Sequence, residues 1–370
     1  MSTAEHAPLA PSSAARWVQC GGSVSMCAKY PQAEGDPKAV EGRLAHETVA
    51  AFLLNQPPPD GATEEMLDGA DMMLDAVLPI TKPSSEAPDG LALLVESHVD
   101  CSNIHPENWG TPDAWAINRA YRRLYVWDYK FGHRYVDAFE NWQMINYACG
   151  ILKVAGVARE DIDQYTVHLT IVQPRNFHKD GPVRTWTLSV PELHGYGLRL
   201  RAAAELAMSE GALCNTGPEC RDCTARHACP TLQATGYNAV DMSGDPVPFD
   251  LSPEALGREL TRMKAAAELL DARISGLENE ALSKCKQGVS VPGWMTEQGS
   301  GRERWARPVE EVIALGEMMG VNINKPAALT PKQAIKAGLP EMVVKQYTET
   351  PVGEIKLVPS NLRKVFATKE

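Results

Sequence analysis

The sequence predicts an α/β fold, because helical and strand periodicities both occur along the chain. Apolar residues recur at helical spacing in residues 37–55, as in an amphipathic helix. Residues Tyr165–Val172 instead alternate between apolar and polar side chains, which is typical of a half-buried strand. A further helix is predicted at 138–154, between two groups of strands. Helices and strands that follow one another in this way define the α/β class.

The individual elements are predicted as follows. The helix at 37–55 ends at the prolines of residues 57–59, because proline cannot continue a helix. A polar loop at 80–90 precedes the first strand, and two strands joined by a short turn form a hairpin. The complete series is helix 37–55, helix 62–79, strand 91–100, hairpin strands 114–117 and 123–129, helix 138–154, strands 165–172 and 185–190, and helix 191–212.

Three regions are predicted along the chain. Residues 1–235 contain the elements above and form the first domain. Residues 236–251 are rich in glycine, proline and aspartate, a composition typical of a linker. A long helix then begins at Ser252, which is expected to act as its N-cap, and continues to residue 286. Residues 252–370 as a whole are expected to form a smaller, mainly helical C-terminal accessory region, in which the long helix is followed by a small α/β part made of short elements.

Composition limits the classes of function. The 370 residues carry a formal net charge of −11 at pH 7, which argues against non-specific coating of nucleic acid. It is compatible with a nuclease, whose metal site is itself rich in carboxylates. There is no run of about 18 or more apolar residues, and the N-terminus lacks the basic and apolar regions of a secretory signal. We therefore expect a cytoplasmic protein that does not span a membrane.

Three short segments contain the residue types of a metal-dependent nuclease. Hydrolysis of a phosphodiester needs an in-line water and one or two hard cations. Magnesium prefers oxygen ligands and keeps several waters, so two or three carboxylates beside a lysine suffice. The segments are Pro112-Asp113, Asp128-Tyr129-Lys130, and Gln143 with Tyr147.

Strand geometry predicts how these residues are arranged. Because side chains alternate along a strand, Asp128 and Lys130 share one face while Tyr129 points into the core. The carboxylate would bind the ion, and Lys130 would orient or help to deprotonate the attacking water, or stabilise charge on the phosphate. Gln143 and Tyr147 share one face of the next helix. The alternative is an ordinary surface Asp–Lys pair on a strand.

The combination of these segments resembles the RecB-like branch of the PD-(D/E)XK nucleases, over roughly residues 12–235. It consists of a G-x-x-x-H helix that contains His46, the aspartate Asp113, the D-Y-K strand and the Q-x-x-x-Y helix. The resemblance implies a nuclease core with a mixed central sheet flanked by helices.

The resemblance also implies roles for the residues. His46, Asp113 and Asp128 would ligate Mg²⁺ or Mn²⁺, and Lys130 would be catalytic. The glutamine and tyrosine of the following helix would belong to the catalytic set, by supporting the site or by contacting DNA. Glu96, on the strand before the hairpin, matches none of the motifs and is a further candidate metal ligand. The alternative for Glu96 is a polar residue of a strand.

Four cysteines form a second candidate site. Cys220, Cys223 and Cys229 have the spacing C-x2-C-x5-C, and Cys20 lies near the N-terminus. Thiolates at this spacing can hold one soft metal centre. A single distant cysteine beside such a run favours a [4Fe–4S] cluster, because structural zinc usually takes two close cysteine pairs. Ligation by all four would join the two ends of the first domain.

Alternatives stay open for the cysteine site. Structural Zn²⁺ could take the place of the cluster, and Cys27 and Cys214 are spare candidates for the fourth ligand. The arrangement resembles the iron–sulfur-stapled subset of RecB-like nucleases, which includes the AddB type and the exonucleases of CRISPR adaptation. We expect the cluster to be structural, because hydrolysis transfers no electrons.

The function expected from the sequence is that of a divalent-metal-dependent DNA exonuclease, with DNA as its partner. The chain also resembles an uncharacterised family of RecB-like proteins of phages and prophages. That resemblance implies a role in phage DNA replication or recombination, with proteins of those processes as further partners. The alternative is a non-catalytic DNA-binding or recombination-accessory protein on the same fold.

Overall fold

The structure is a computed structural model that describes residues 7–31, 37–176, 178–242 and 251–296, and Met342. The chain divides into two compact units, Met1–Met295 and Thr296–Glu370. The elements given below belong to the first unit. The short elements that the sequence predicts after residue 296 lie outside the described residues.

A mixed five-stranded sheet forms the centre of the first unit. The strands of the described residues are β1 (Leu93–Val95), β2 (Val99–Asp100), β3 (Trp109–Gly110), β4 (Ala114–Asn118), β5 (Arg123–Tyr129), β6 (Thr166–Val172) and β7 (Val183–Ser189). The order in the large sheet is β1-β4-β5-β6-β7, and β2 pairs with β3 in a separate small sheet. Only β5 and β6 are parallel; the other neighbours in the large sheet are antiparallel.

Helices cover both faces of the sheet, which confirms the predicted α/β class. They are α1 (Ala14–Gln19), α2 (Ser23–Lys29), α3 (Pro37–Leu53), α4 (Glu64–Thr81), α5 (Trp142–Val154), α6 (Arg159–Ile162), α7 (Val190–Met208), α8 (Pro230–Met242) and α9 (Pro253–Lys286), with 3-10 turns at Pro11–Ser13 and Pro218–Asp222. In the described part of the chain, no helix has the length and apolar character needed to cross a membrane.

Two apolar clusters attach the helices to the sheet. Leu124 and Val126 of β5 belong to the cluster that includes α5 and α7. Trp127 and Tyr129 of the same strand belong to the cluster formed with α3 and α4. Residues of one strand serve both clusters because its side chains alternate between the two faces. Tyr129 is fully buried, as the sequence predicts.

Side-chain caps begin several helices. The Ser252 hydroxyl accepts a hydrogen bond from the Ala255 amide at 3.3 Å, so the predicted N-cap of α9 is confirmed. Ser189 and Glu192 form a reciprocal capping box at the start of α7. These contacts satisfy backbone N–H groups that have no partner inside the helix.

The structure differs from the predicted boundaries near residue 236. Helix α8 continues to Met242, so residues 236–242 of the predicted linker are helical, and residues 243–250 lie outside the described residues. Helix α9 belongs to the first compact unit rather than to a separate C-terminal region. It contacts the Pro218–Asp222 turn and α8. The close approach requires Gly276, because a Cβ there would lie 2.7 Å from Cγ of Arg226.

Candidate metal centre and cysteine site

Three acidic residues lie side by side at one end of the sheet. The pairing of β4 with both of its neighbours ends at Ala114. One residue further out on each of the three strands lie Glu96, Asp113 and Asp128. The Glu96 amide donates a hydrogen bond to the Asp113 carbonyl at 3.1 Å, which continues the β1–β4 ladder. Residues directly opposite one another in neighbouring strands are close in space, so this register forms an acidic row.

Helix α3 adds a histidine to the acidic row. His46 Nδ1 lies 2.9 Å from Asp113 Oδ1. Ligand atoms of His46, Glu96 and Asp113 all lie within 4.8 Å of one another. One imidazole and two carboxylates form a donor set suited to a hard or borderline divalent cation. The structure therefore brings Glu96, which matches no motif, into the same group as two of the motif residues.

The backbone around this group holds the side chains in place. The Tyr129 amide donates a hydrogen bond to Asp113 Oδ2 at 2.6 Å, and Asp113 is buried. Glu96 has a φ of 43°, in the left-handed region that non-glycine residues rarely adopt. Such backbone strain concentrates at functional sites, where the surrounding structure enforces it.

Asp128 is part of a closed polar triangle with Lys130 and Gln143. Lys130 Nζ lies 2.8 Å from Asp128 Oδ2 and donates to Gln143 Oε1 at 2.9 Å. Gln143 Nε2 donates to Asp128 Oδ1 at 2.7 Å. Asp128 and Lys130 thus share one face, as strand alternation predicts, and α5 supplies the third member.

The surroundings set the charges of this triangle. Burial works against the ammonium of Lys130, but the charge of Asp128 and the contact with it outweigh burial, and the pKa of Lys130 is raised. Burial and the nearby charge of Asp113 raise the pKa of Asp128, although Lys130 opposes this. The surroundings therefore favour the charged form of Lys130 and disfavour the charged form of Asp128.

His46, Glu96 and Asp113, called the His46 group below, also influence one another's protonation. Desolvation of its carboxylate and the negative charge of Asp113 raise the pKa of Glu96 to about 7. Burial opposes charge on both His46 and Asp113, but their mutual attraction outweighs it, so the pKa of His46 is raised and that of Asp113 is lowered. Acidic groups crowded in this way would be relieved by a bound cation.

Tyr147 lies close to the acidic row without touching it. Its hydroxyl donates a hydrogen bond to the Thr111 carbonyl at 3.0 Å. It also lies against Gly110, where a Cβ would be only 3.1 Å from the Tyr147 oxygen. Tyr147 therefore positions the segment that leads to Asp113. The catalytic role expected for it is indirect in this geometry.

Gln173 is a residue of the site region that sequence reasoning missed. It is fully buried directly after β6, and its Nε2 donates to the carbonyls of Gly132 at 2.7 Å and Arg134 at 2.5 Å. These contacts hold the loop that follows Lys130. A polar residue at the end of a buried strand could have suggested a role for Gln173. Its partners could not be predicted, because they are brought near by the parallel pairing of β5 and β6.

The cysteine segment lines a single cavity with the N-terminal helices. Arg16 and Gln19 of α1 form part of the wall, together with Leu232 of α8. All nine cysteines are free, so no disulfide occupies this region. The cysteines that line the cavity are Cys20, Cys214, Cys220, Cys223 and Cys229.

This chain belongs to the family described as protein of unknown function (DUF2800). The match covers residues 6–363, so the acidic row and the cysteine cavity both fall inside it.

In this DUF2800 protein, the four cysteines predicted to bind the cluster lie in or beside the cavity, together with both spare candidates for the fourth ligand. Cys27 lies outside the cavity wall, with its Sγ 3.7 Å from that of Cys223. Burial and the neighbouring Cys229 and Cys20 raise the pKa of Cys214 to about 12. The Asn215 amide donates a hydrogen bond to Cys20 Sγ at 3.3 Å, and the Gly217 amide donates one to Cys220 Sγ at 3.4 Å.

Both sites contain residue types that can hold the groups predicted from the sequence. At the acidic row, Asp128 Oδ2 is enclosed and, apart from the Lys130 ion pair, has no hydrogen-bond partner among the described residues. A bound cation would provide one. At the cysteine cavity, five cysteines line one space and two backbone amides donate to Cys20 and Cys220, and amide hydrogen bonds to sulfur are a feature of iron–sulfur sites.

Proposed function

We propose that this protein is a divalent-metal-dependent DNA nuclease of the RecB-like PD-(D/E)XK type. It would act as an exonuclease in phage or prophage DNA replication or recombination. The observation that carries the proposal is the acidic row of Glu96, Asp113 and Asp128, in which His46 contacts Asp113 and Lys130 contacts Asp128. The alternative, an ordinary surface pair of Asp128 and Lys130, would not explain why residues from three strands and two helices meet at this place.

The metal-binding part of the proposal rests on side-chain chemistry. His46, Glu96 and Asp113 would hold one Mg²⁺ or Mn²⁺, and Asp128 Oδ2, which Lys130 contacts at 2.8 Å, is a further candidate ligand. When bound, the ion would neutralise charge that develops on the phosphate and lower the pKa of a water molecule. The Tyr129 amide keeps one oxygen of Asp113 fixed, which leaves Oδ1 directed towards His46.

Lys130 would act on the phosphate. Its ion pair with Asp128 favours the ammonium form, and an ammonium ion at this position would stabilise negative charge on the phosphate oxygens. Gln143 fixes the direction of the ammonium group, because it binds the lysine through Oε1 and the aspartate through Nε2. A preorganised cation of this kind loses no energy to reorientation when charge develops.

A metal centre at the cysteine site would join the two ends of the proposed nuclease region. Cys20 follows α1, whereas Cys220, Cys223 and Cys229 come after α7, so shared ligation would join segments far apart in the sequence. We propose a [4Fe–4S] cluster there, with structural zinc as the alternative. The role is structural because phosphodiester hydrolysis transfers no electrons.

A cleavage assay with a matched lysine control tests the proposed function. Protein purified without oxygen should degrade DNA with Mn²⁺ and lose this activity in EDTA. Lys130→Met should lower the rate by at least about 100-fold. Lys153→Met, which removes an exposed lysine paired with Asp100, should leave the rate unchanged. Equal rates for the wild type and Lys130→Met would refute the catalytic assignment. DNA binding without cleavage by any metal form would favour the accessory protein instead.

A further inference from the structure

We infer that the segment between Glu96 and Asp113 carries a stacking platform for an unpaired base of a DNA strand. The inference deepens the proposed function and rests on it, because it takes the scissile phosphate to lie at the acidic row. The platform consists of His98 and Trp109, whose ring centroids are 5.6 Å apart with planes inclined by 30°. Its consequence is that the site accepts DNA with single-stranded ends.

The platform lies beside the acidic row because its segment begins and ends there. The Glu96 amide and the Asp113 carbonyl, 3.1 Å apart, close the segment at its base. His98 comes two residues after Glu96, and Trp109 four residues before Asp113. At no more than about 3.6 Å per residue, the two Cα atoms lie within roughly 7 and 14 Å of the row. That is within reach of a nucleotide next to the cleaved one.

The segment is held firmly against the body of the protein. β2 and β3 pair through Val99 and Gly110, immediately next to the two rings. Asn108 Nδ2 donates to Asn146 Oδ1 of α5 at 3.2 Å, and both residues are fully buried. Tyr147 fixes the last part through Thr111. The two rings are therefore preformed, which reduces the entropy lost when a ligand stacks on them.

The exposed ring identifies the kind of ligand. His98 is exposed while Trp109 is half-buried, so the histidine is the ring of the pair that offers more of its surface to a ligand. Histidine is among the aromatic side chains on which nucleic-acid bases stack. Stacking suits every base, whereas a base inside a duplex already has both faces covered. An unpaired base would continue the stack begun by the two rings.

A binding titration tests the platform without cleavage. The full-length protein is titrated with an internally labelled oligo-dT in Ca²⁺, and a gel afterwards confirms that the DNA is intact. A second oligo-dT lacks the bases of its terminal nucleotides at both ends. His98→Ala should weaken binding of the complete oligonucleotide about 5-fold or more, since stacking contributes at least about 1 kcal/mol per base. His98→Phe should restore it, because phenylalanine stacks but carries no charge.

Two comparisons make the titration decisive. The wild type should bind the base-free ends as weakly as His98→Ala binds the complete oligonucleotide. Tyr121→Ala removes an exposed ring at the opposite end of the β4–β5 hairpin and should change nothing. The platform is overturned if the wild type does not bind oligo-dT, if His98→Ala or the missing bases have no effect, or if His98→Phe fails to restore binding. Base-dependent binding in a protein that never cleaves DNA would remove the proposed function alone and leave the platform.

Discussion

At the scale of single residues, Asp113 connects the parts of the acidic row. One of its oxygens faces His46 and the other accepts the Tyr129 amide, while its carbonyl binds the Glu96 amide. A buried carboxylate is stable only when it is paired and hydrogen-bonded. The contacts of Asp113 therefore explain both its ionised state and the placement of its two neighbours.

Removal of Glu96 from the row should weaken metal binding. Glu96→Gln loses one anionic ligand of the His46 group, so the Mn²⁺ affinity should fall by at least about 10-fold. Calorimetric titration with Mn²⁺ measures this. Glu107→Gln, which changes an exposed glutamate of the same segment, should bind Mn²⁺ like the wild type. Equal affinities for Glu96→Gln and the wild type would assign Glu96 to the scaffold instead.

Removal of the Gln143 amide should affect the reaction rather than the metal. Gln143→Leu leaves the Lys130 ammonium without its second partner, so its direction is no longer fixed. We expect kcat for DNA cleavage to fall by about 10- to 100-fold, since small displacements of a catalytic group have effects of this size. The Mn²⁺ affinity should fall less than kcat, because His46, Glu96 and Asp113 stay in place. A loss of Mn²⁺ binding in parallel with kcat would show that the glutamine shapes the metal group.

At the scale of elements, close packing of α4 on β5 supports the acidic row. Gly69 of α4 lies against the Tyr129 hydroxyl, and a Cβ added at Gly69 would overlap with it. Tyr129 stands between Asp128 and Lys130 on the opposite face of the strand. A larger residue at position 69 would therefore push on the strand that carries both.

Substitution of two helix glycines tests this packing. Gly69→Ala should lower the free energy of unfolding by about 1–3 kcal/mol, because overpacking forces the ring or the backbone to move. Gly195→Ala in α7, where a Cβ meets nothing within 4 Å, should raise it by about 0.5–1 kcal/mol. Chemical denaturation measures both. A Gly69→Ala protein as stable as Gly195→Ala would show that α4 is not tightly packed there.

Local patterns in the sequence were enough to predict the main elements. The alternation in Thr166–Val172 and the period of α3 each depend on one element, and both predictions are confirmed. The shared face of Asp128 and Lys130 needs only the geometry of a strand. The sequence does not predict helices α1, α2, α6 and α8; the first three are short, and α8 begins beside the cysteine run.

Contacts that depend on register or on backbone strain could not be predicted. Glu96 reaches the row because β1 pairs with β4 so that Glu96 meets Asp113, and because its φ is positive. Neither property appears in the order of residues. The same holds for Tyr147, whose partner Thr111 is a backbone carbonyl in a segment without a periodic pattern.

At the scale of the whole molecule, two arginines connect the cysteine segment with α1 and with the loop after Lys130. Arg16 of α1 donates to the Asp222 carbonyl at 3.0 Å, and Arg134 Nη2 lies 2.6 Å from Asp222 Oδ2. Arg134 belongs to the loop after Lys130 that Gln173 holds. Exposed ion pairs contribute little to stability. A ligated centre at the cysteines would provide the stronger link.

The metal content should depend on the four predicted cysteines. Cys20→Ser should lose iron and sulfide and unfold at a lower temperature, because the cluster then has three ligands and the N-terminal staple is gone. Cys285→Ser, at the end of α9, should keep both. Iron, sulfide and zinc analysis after anaerobic purification measures this. Stoichiometric zinc without iron would replace the cluster by structural zinc.

The redox state of an intact cluster should not control cleavage. Reduction and reoxidation should leave the rate of DNA hydrolysis unchanged, because a structural centre supplies no electrons to this reaction. Cleavage rates measured before reduction, after reduction and after reoxidation test this, with iron content checked at each step. A rate that follows the redox state while iron is retained would give the cluster a regulatory role.

Cleavage of end-labelled single- and double-stranded DNA by the wild type and Asp113→Asn tests the central claim most directly. With Mn²⁺ present, the wild type should shorten at least one of the labelled strands, and Asp113→Asn should shorten neither. Asp71→Asn, at an exposed site on α4, should behave like the wild type. Shortening by Asp113→Asn at the wild-type rate would contradict the assignment of the acidic row as a nuclease site.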